Sequence, residues 1–349
     1  MRFRPLSRGL LLVLLVVLLR PAPPALAQQK AQPKAQSKEA RETHAIPIPD
    51  APWTGDFDGM KKRRLIRVLV VYNKTNYFID RGQPRGITTD AFQLFEEHIN
   101  KKYKTGNLKI HVALIPVRRD ALADLLLSGK GDIVAANIAI TPERAAKADF
   151  SNPVLKNVSE IVVSGPASQP LASTDDLSGR EVFVRKGSIF NESLDKLNDD
   201  LKKRGKAPVK LRFAPDNLED EDLLEMLNAG LVHYVVVFDF LAKFWASVLP
   251  KIQLHPEATL RKDADIAWAM RKNSPLLKAE LDEFIAKYPE GNATRNMLFE
   301  AYNGRHAYFI DRPPCRAPGF GGSSRQLALF IAWHANTRTK SASNRSSTK

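Results

Sequence analysis

The stretch GDIVAANIAITPERAAKADFSNP, residues 131–153, decides how the rest of this chain is read. Residues 132–136 form a short apolar run of the kind that makes a buried strand, leading into Asn137, Ile138, Ala139 and Ile140. Thr141 followed by Pro142 is a helix start, because proline suits the first helical position. Arg144 then falls in the first helical turn directly after a buried strand, where its guanidinium can reach a cleft. A planar, always-charged fork suits a ligand carboxylate bidentately. The spacing leaves equally open a surface arginine paired with Glu143 or Asp149.

Working outward, the same strand-then-helix rhythm recurs on both sides. Residues 67–72 (RVLVVY) read as a buried strand and 88–100 as a helix, with Thr89 or Asp90 near its cap. A strand at 108–115 and a helix at 119–128, ended by Gly129, complete the first half. A strand at 161–163 crosses elsewhere, and the alternation restarts with a strand at 181–184, a helix at 188–203, a strand at 210–213, a helix at 218–227 and a strand at 233–237. A strand at 265–270 and helices at 275–288 and 293–302 close the pattern. Alternation of this kind predicts an α/β fold. Two similar βα halves joined by crossing segments predict two lobes with a ligand cleft between them, at strand C-terminal ends and helix N-termini.

Composition agrees. The chain has 349 residues, 44% hydrophobic and 26% charged, which excludes collagen-like, coiled-coil and wholly disordered classes. Its one cysteine, Cys315, excludes an internal disulfide or a cysteine-based zinc site. The seven histidines show no i, i+4 pair, so neither a metal nor a cofactor is expected. The formal charge of +15 is unevenly spread: four units fall in the first 27 residues and seven in residues 304–349. The compact part is nearly balanced and carries no basic stripe interleaved with aromatics, so nucleic acid is not an expected partner.

Residues 1–27 read as a cleavable signal peptide: Arg2, Arg4 and Arg8, then an apolar run of 11 residues from 9 to 19, then Ala25-Leu26-Ala27. That run is short of the ~20 residues needed to span a bilayer. Residues 28–53 form a Gln/Lys/Ala/Pro-rich linker, and 304–349 a basic tail of low order. A periplasmic, monomeric protein is expected.

In the second half, Lys186-Gly187-Ser188 follows a strand and opens a helix, a backbone arrangement that can bind an anion, as many βα turns can. Asp239 ends the apolar run 235–238, where it could accept from a ligand ammonium or else cap the following helix.

The segments Leu65-Ile66-Arg67-Val68, Gly86, residues 131–136, and Ile140 to Arg144 followed by Phe150-Ser151-Asn152-Pro153 together resemble bacterial family 3 solute-binding proteins, over about residues 61–290. Residues 72–78 (YNKTNYF) with 82–86 (GQPRG) further resemble the non-catalytic module of the membrane-bound lytic transglycosylase F family. The resemblance implies the two-lobe periplasmic-binding-protein type II fold, lobe 1 being about 61–160 plus 264–303 and lobe 2 about 161–263, within a domain spanning 54–303. It implies that Arg144 grips a ligand carboxylate with Thr141 beside it, and that Ser188 supplies a second-lobe hydroxyl. Tyr72 or Tyr77 would line the first-lobe wall, and Asn137 joins the expected ligand set. Two positions depart from the family pattern: Ala139 stands where many members have Ser or Thr, and Phe238 stands where the ammonium-binding aspartate usually falls, with Asp239 one residue on.

The function these residues imply is hinge closure on a small carboxylate-bearing ligand, an amino acid, peptide or muropeptide, for an ABC permease or for sensing peptidoglycan. Binding rather than catalysis is the first expectation, and a lytic murein transglycosylase F-like peptidoglycan-cleaving enzyme, truncated here, is one alternative. The transglycosylase family joins its binding module to a lysozyme-like catalytic domain, and residues 304–349 do not read as the start of one; the composition shift near His306 is what a frame change or truncation would produce. A cyclohexadienyl dehydratase-like enzyme on the same fold is the other alternative.

Overall fold

The computed structural model describes residues 51–289. The expectations for the signal peptide, most of the linker, the helix at 293–302 and the tail lie outside these residues.

The fold is built around a nine-stranded sheet ordered β4-β1-β5-β11-β7-β10-β8-β9, with the short strand β6 (Asp149–Phe150) beside β11. Strand β1 (Leu65–Val71) is buried along its whole length, and Ile66, Val68 and Val70 are fully buried. A continuous apolar run is what a parallel strand needs when both of its faces are covered. It pairs in parallel with β4 (His111–Val117) and with β5 (Ile133–Ala139). Helices α1 (Phe57–Arg63), α2 (Ile87–Lys102) and α8 (Pro275–Lys287) bring Phe57, Phe92, Phe95, Leu277, Leu281 and Phe284 into the core on one face. Leu122 and Leu126 of α3 (Leu122–Leu127) cover the other face.

The second group of strands repeats the arrangement. Strands β8 (Glu181–Val184), β9 (Lys210–Phe213) and β10 (Tyr234–Phe238) run parallel. Helices α5 (Ile189–Lys203), α6 (Asp220–Asn228) and α7 (Asp239–Ala246) clothe them.

Two long antiparallel strands connect the groups. Strand β7 (Leu155–Ser164) pairs at its start with residues 264 and 266 of β11 (Gln253–Met270), and at its end with 253–255. The expected crossing strand at 161–163 is the second half of β7. The expected strand at 265–270 is only the last third of β11, whose register shifts repeatedly between His255 and Ile266. Those irregularities, with Lys262 and Asp263 exposed in the middle, erase the apolar run that a periodicity reading depends on. This is a two-lobe α/β architecture with a two-stranded connection.

Trp53 is fastened to the first lobe: its backbone N–H donates to the Gly129 carbonyl at 2.9 Å, and the Arg63 guanidinium lies 3.7 Å from its ring centroid. Between β1 and α2 the chain makes a hairpin of β2 (Phe78–Asp80) and β3 (Gln83–Arg85). The start of α2 differs from expectation. Its N-cap is Gly86, and the carbonyls of Thr75 and Asn76 accept from Ile87 and Thr88 at 3.1 and 3.0 Å. The Thr89 hydroxyl instead donates to the Arg85 carbonyl. Backbone therefore does the capping that a side chain at 89 or 90 was expected to do.

Gly86 has φ +124°, and a Cβ there would collide with the backbone of Asn76 and Tyr77. Gly86→Ala is expected to destabilise the fold by about 1–3 kcal/mol, read as a lower urea midpoint with an unchanged slope. A midpoint matching the unmodified chain would show that this close approach is not needed.

Candidate functional site

The site grows from the turn between β5 and α4 (Pro142–Lys147). Thr141 is the N-cap, its Oγ1 accepting from the Arg144 backbone N–H at 3.3 Å, as its position before Pro142 predicts. Its hydroxyl therefore acts on its own helix. With the turn so held, the Arg144 side chain folds back across the strand end and donates from Nη1 to the Ala139 carbonyl at 3.3 Å. Its Nη2 lies 3.2 Å from Glu192 Oε1, a carboxylate carried by α5 of the other lobe. This ion pair differs from the pairing with Glu143 or Asp149 that the spacing also allowed. Burial lowers the Arg144 pKa, and the Glu192 carboxylate opposes that shift.

Asn137 sits at the end of β5 with a left-handed backbone, φ 52°, two residues before Ala139. Tyr72 and Tyr77 meet edge to face with centroids 6.4 Å apart. Tyr77 is 5% exposed and belongs to the first-lobe core, where burial raises its phenol pKa.

On the second lobe, Ser188 caps α5: its Oγ accepts from Asn191 N–H at 3.1 Å and donates to the Arg185 carbonyl at 2.7 Å. Asp239 is the first residue of α7. One carboxylate oxygen accepts from the Ser159 backbone N–H at 3.1 Å and the other from Lys243 Nζ at 2.6 Å. It thus ties β7 to α7. Phe238 is buried between Phe190 and Phe240, with centroids 4.9 and 5.8 Å away. Thr141 and Arg144 therefore lie in the turn after β5, the strand that carries Asn137 and Ala139, while Ser188 serves the backbone around its own helix start and Asp239 joins β7 to α7.

Several residues at the lobe junction were not legible as site residues. Arg119 grips Glu219 bidentately, with N–O distances of 2.5–3.0 Å, and also donates to the Ala136 carbonyl at 2.8 Å. Lys74 reaches Glu225 at 2.5 Å and Asp222 at 3.4 Å. Arg118 lies 3.6 Å from Asp216, and the Trp245 indole donates to the Thr75 hydroxyl at 3.2 Å. Apart from the Arg119 bond to Ala136, each of these contacts joins a first-lobe residue to a second-lobe residue. The acidic run Glu219-Asp220-Glu221-Asp222 was visible, but at the start of a helix it reads as ordinary dipole compensation and capping, which Glu219 and Asp222 also perform. Lys74 lies inside the aromatic stretch 72–78, flanked by Tyr72 and Tyr77.

Chemically, the junction presents guanidinium and ammonium groups from one lobe to carboxylates from the other, with Arg144 and Glu192 at its β5 end. Among the described residues no group of three His, Cys, Asp or Glu is placed to hold a metal. No described helix is long and apolar enough to cross a membrane.

The profile of the bacterial extracellular solute-binding proteins, family 3, matches residues 66–304. Among curated proteins, the membrane-bound lytic murein transglycosylase F of Desulfosudis oleivorans is 26% identical over 238 residues, 68% of this chain and 48% of its own length. That of Aeromonas salmonicida is 29% identical over 297 residues, covering 80% and 54%. The chain thus spans about half the length of the curated relatives it matches. Among solved structures, the amino acid ABC transporter substrate-binding protein AbpA from Streptococcus pneumoniae, bound to L-arginine, aligns with a TM-score of 0.57 at 21% identity, over 71% of this chain and 98% of its own. The ancestral amino acid-binding protein AncCDT-1, a precursor of cyclohexadienyl dehydratase, aligns with a TM-score of 0.55 at 22% identity, over 70% and 97%. At these identities the structural likeness establishes a common fold.

Proposed function

The chain belongs to the bacterial extracellular solute-binding proteins, family 3, and from that premise we propose that it closes its two lobes on a small carboxylate-bearing ligand held by Arg144. One observation carries this reading: Arg144 already holds a carboxylate, Glu192 Oε1, from the opposite lobe. A guanidinium placed to receive one carboxylate across the cleft is placed to receive another when the lobes part. Closure would follow a hinge motion about β7 and β11, and ligand would stabilise the closed state by its extra contacts there. No bond is made or broken in this cycle.

Amino acids, peptides and muropeptides all fit a carboxylate site. The L-arginine bound by AbpA supports the first of these and an ABC permease as partner. A second reading, sensing of wall fragments at the periplasmic face, is favoured by the curated relatives named as lytic murein transglycosylases. Under it, ligand-dependent closure would be read by a peptidoglycan-cleaving domain rather than a permease.

A thermal-shift screen of the purified chain against amino acids, dipeptides and muropeptide fragments tests the proposal. Ligand at about 100 times its Kd stabilises by about 2.7 kcal/mol, and Arg144→Ala is expected to abolish the shift. A shift that survives in that variant would place the carboxylate site elsewhere. The best ligand decides between nutrient uptake and wall sensing.

A further inference from the structure

On α5, Glu192 turns to Arg144, while the next residue, Ser193, turns to Arg261. Consecutive helical side chains point about 100° apart, so α5 carries a second face beside the cleft that uses none of the cleft residues. Ser193, Lys196 and Leu197 of that face line a groove of about 460 Å³, opposite Leu260 and Arg261 of β11, with Thr174 completing the lining. A bulge sets the arginine there. Strand β11 advances from Thr259 to Arg261 while β7 advances only from Ile161 to Glu160, and such irregularities re-aim side chains. Arg261 is then held from behind: its Nε lies 3.0 Å from Glu160 Oε1, and its Nε and Nη2 donate to the Ser193 hydroxyl at 3.3 and 3.1 Å. Glu160 is fully buried, neither of its oxygens completes a well-formed hydrogen bond, and its ion-pair partner among the described residues is Arg261. Among the described residues no acceptor is bonded to Arg261 Nη1 or to Lys196 Nζ, the two cationic groups of the groove.

Independently of the Arg144 reading, we propose that this groove is a second binding site, for a small hydroxylated organic oxyanion such as a sugar acid or sugar phosphate, its carboxylate or phosphate shared by Arg261 and Lys196. The two cations set the sign of the ligand. Glu160 and Ser193 fix the Nε edge of Arg261, so the guanidinium meets an anion already oriented. Lys196, exposed on its flexible stem, supplies a second charge that can follow the ligand. Asp200, the acid that also lines the groove, pairs with Arg204 at 2.8 Å, which offsets its repulsion of an anion. The size and walls of the groove describe the rest of the ligand. Its volume falls in the range that holds small organic molecules rather than a bare ion. Leu197 and Leu260 offer apolar contact to a carbon skeleton. The Thr259 hydroxyl donates its own proton to the Pro256 carbonyl at 2.6 Å, leaving its oxygen to accept from a ligand hydroxyl.

The test is isothermal titration of the full chain with glucuronate and with glucose 6-phosphate, using inorganic phosphate and glucose as controls. The expected result is saturable binding of at least one of the two organic anions, with both controls about tenfold weaker or more. Lys196→Glu, a change at an exposed position, should weaken that binding about tenfold or more. Glu160→Gln combined with Arg261→Gln removes the buried pair together, leaves no lone charge inside, and should abolish binding. If that paired variant melts early, Lys196→Glu decides alone. Binding should persist in Arg144→Ala; if it is lost there, the anion occupies the cleft and the inference fails with the Arg144 reading intact. Inorganic phosphate binding as tightly as glucose 6-phosphate would overturn the organic ligand. Binding unmoved by the groove variants, or no binding of either organic anion at millimolar concentration, would overturn the site itself.

Discussion

Replacing Asp132 with alanine is expected to cost the protein about 3–5 kcal/mol, a large share of the roughly 5–15 kcal/mol that holds a domain folded. Asp132 is fully buried at the start of β5 and receives three arginines. Arg67, buried within β1, donates its backbone N–H at 2.8 Å and its Nη2 at 3.0 Å. Arg271, just past β11, donates at 3.2 Å, and Arg63 at the end of α1 donates as well. The carboxylate therefore pins β1, β5, β11 and α1 at one point. Carbonyls of Gly129, Leu126 and Gly131 accept further guanidinium protons, so the cluster is hydrogen-bonded as well as paired.

Removal leaves two buried guanidiniums facing each other with no counter-charge, which is why the loss should exceed that of an ordinary surface ion pair. Urea denaturation of the variant checks it: a midpoint lowered in proportion, or a chain that fails to fold, is the expected outcome. Asp132→Asn, which keeps the shape and one acceptor, should fall between the two. An alanine variant within about 1 kcal/mol of the parent would mean that the arginines find other partners or water.

The second large effect is a pH dependence at the lobe junction. Glu221, in the first turn of α6, is 2% exposed and hydrogen-bonded to Thr75 of the other lobe. Burial pushes its pKa up to about 8 from an ordinary 4.5, and its neighbours Asp220 and Glu219 push in the same direction. Below about pH 4.5 the carboxyl is protonated in both folded and unfolded chains and has no linkage effect. Between there and about pH 8 the unfolded chain releases this proton and the folded one keeps it, so stability falls as pH rises. Above about 8 the loss is complete, on the order of 3–5 kcal/mol.

Glu221→Gln keeps an acceptor for the Thr75 hydroxyl and removes the titration. Its melting temperature should therefore stay level between about pH 5 and 8 where that of the parent declines, leaving the variant the more stable of the two at the upper end. Parallel declines in both proteins would assign the pH dependence to other groups. Glu221 is joined through Thr75 to the Trp245 indole, so the same charge bears on how firmly the lobes close.

Short-range physics made much of this protein readable without coordinates. The apolar run expected as a strand at 67–72, the Thr141-Pro142 helix start and the alternation of strand and helix depend on neighbours a few residues apart; the first is the strand at 65–71, the second opens α4, and the alternation recurs in both lobes. Family membership was legible for the same reason, since its motif spans one strand and one turn. Tertiary structure alone decided the partners. Arg144 meets Glu192 across 48 residues, Arg119 meets Glu219 across 100, and Lys74 meets Glu225 across 151. Nothing local marks those acids: Glu192 in the first turn of α5 and Glu219 at the N-cap of α6 are where any helix N-terminus favours a carboxylate, and Glu225 further along α6 reads as an ordinary helical surface acid. The first half of β11 was hidden likewise: its pairing comes from β7 rather than from its own broken pattern. Local sequence determines which elements form, while the choice of partner for each charged side chain waits until two lobes dock and exclude water between them.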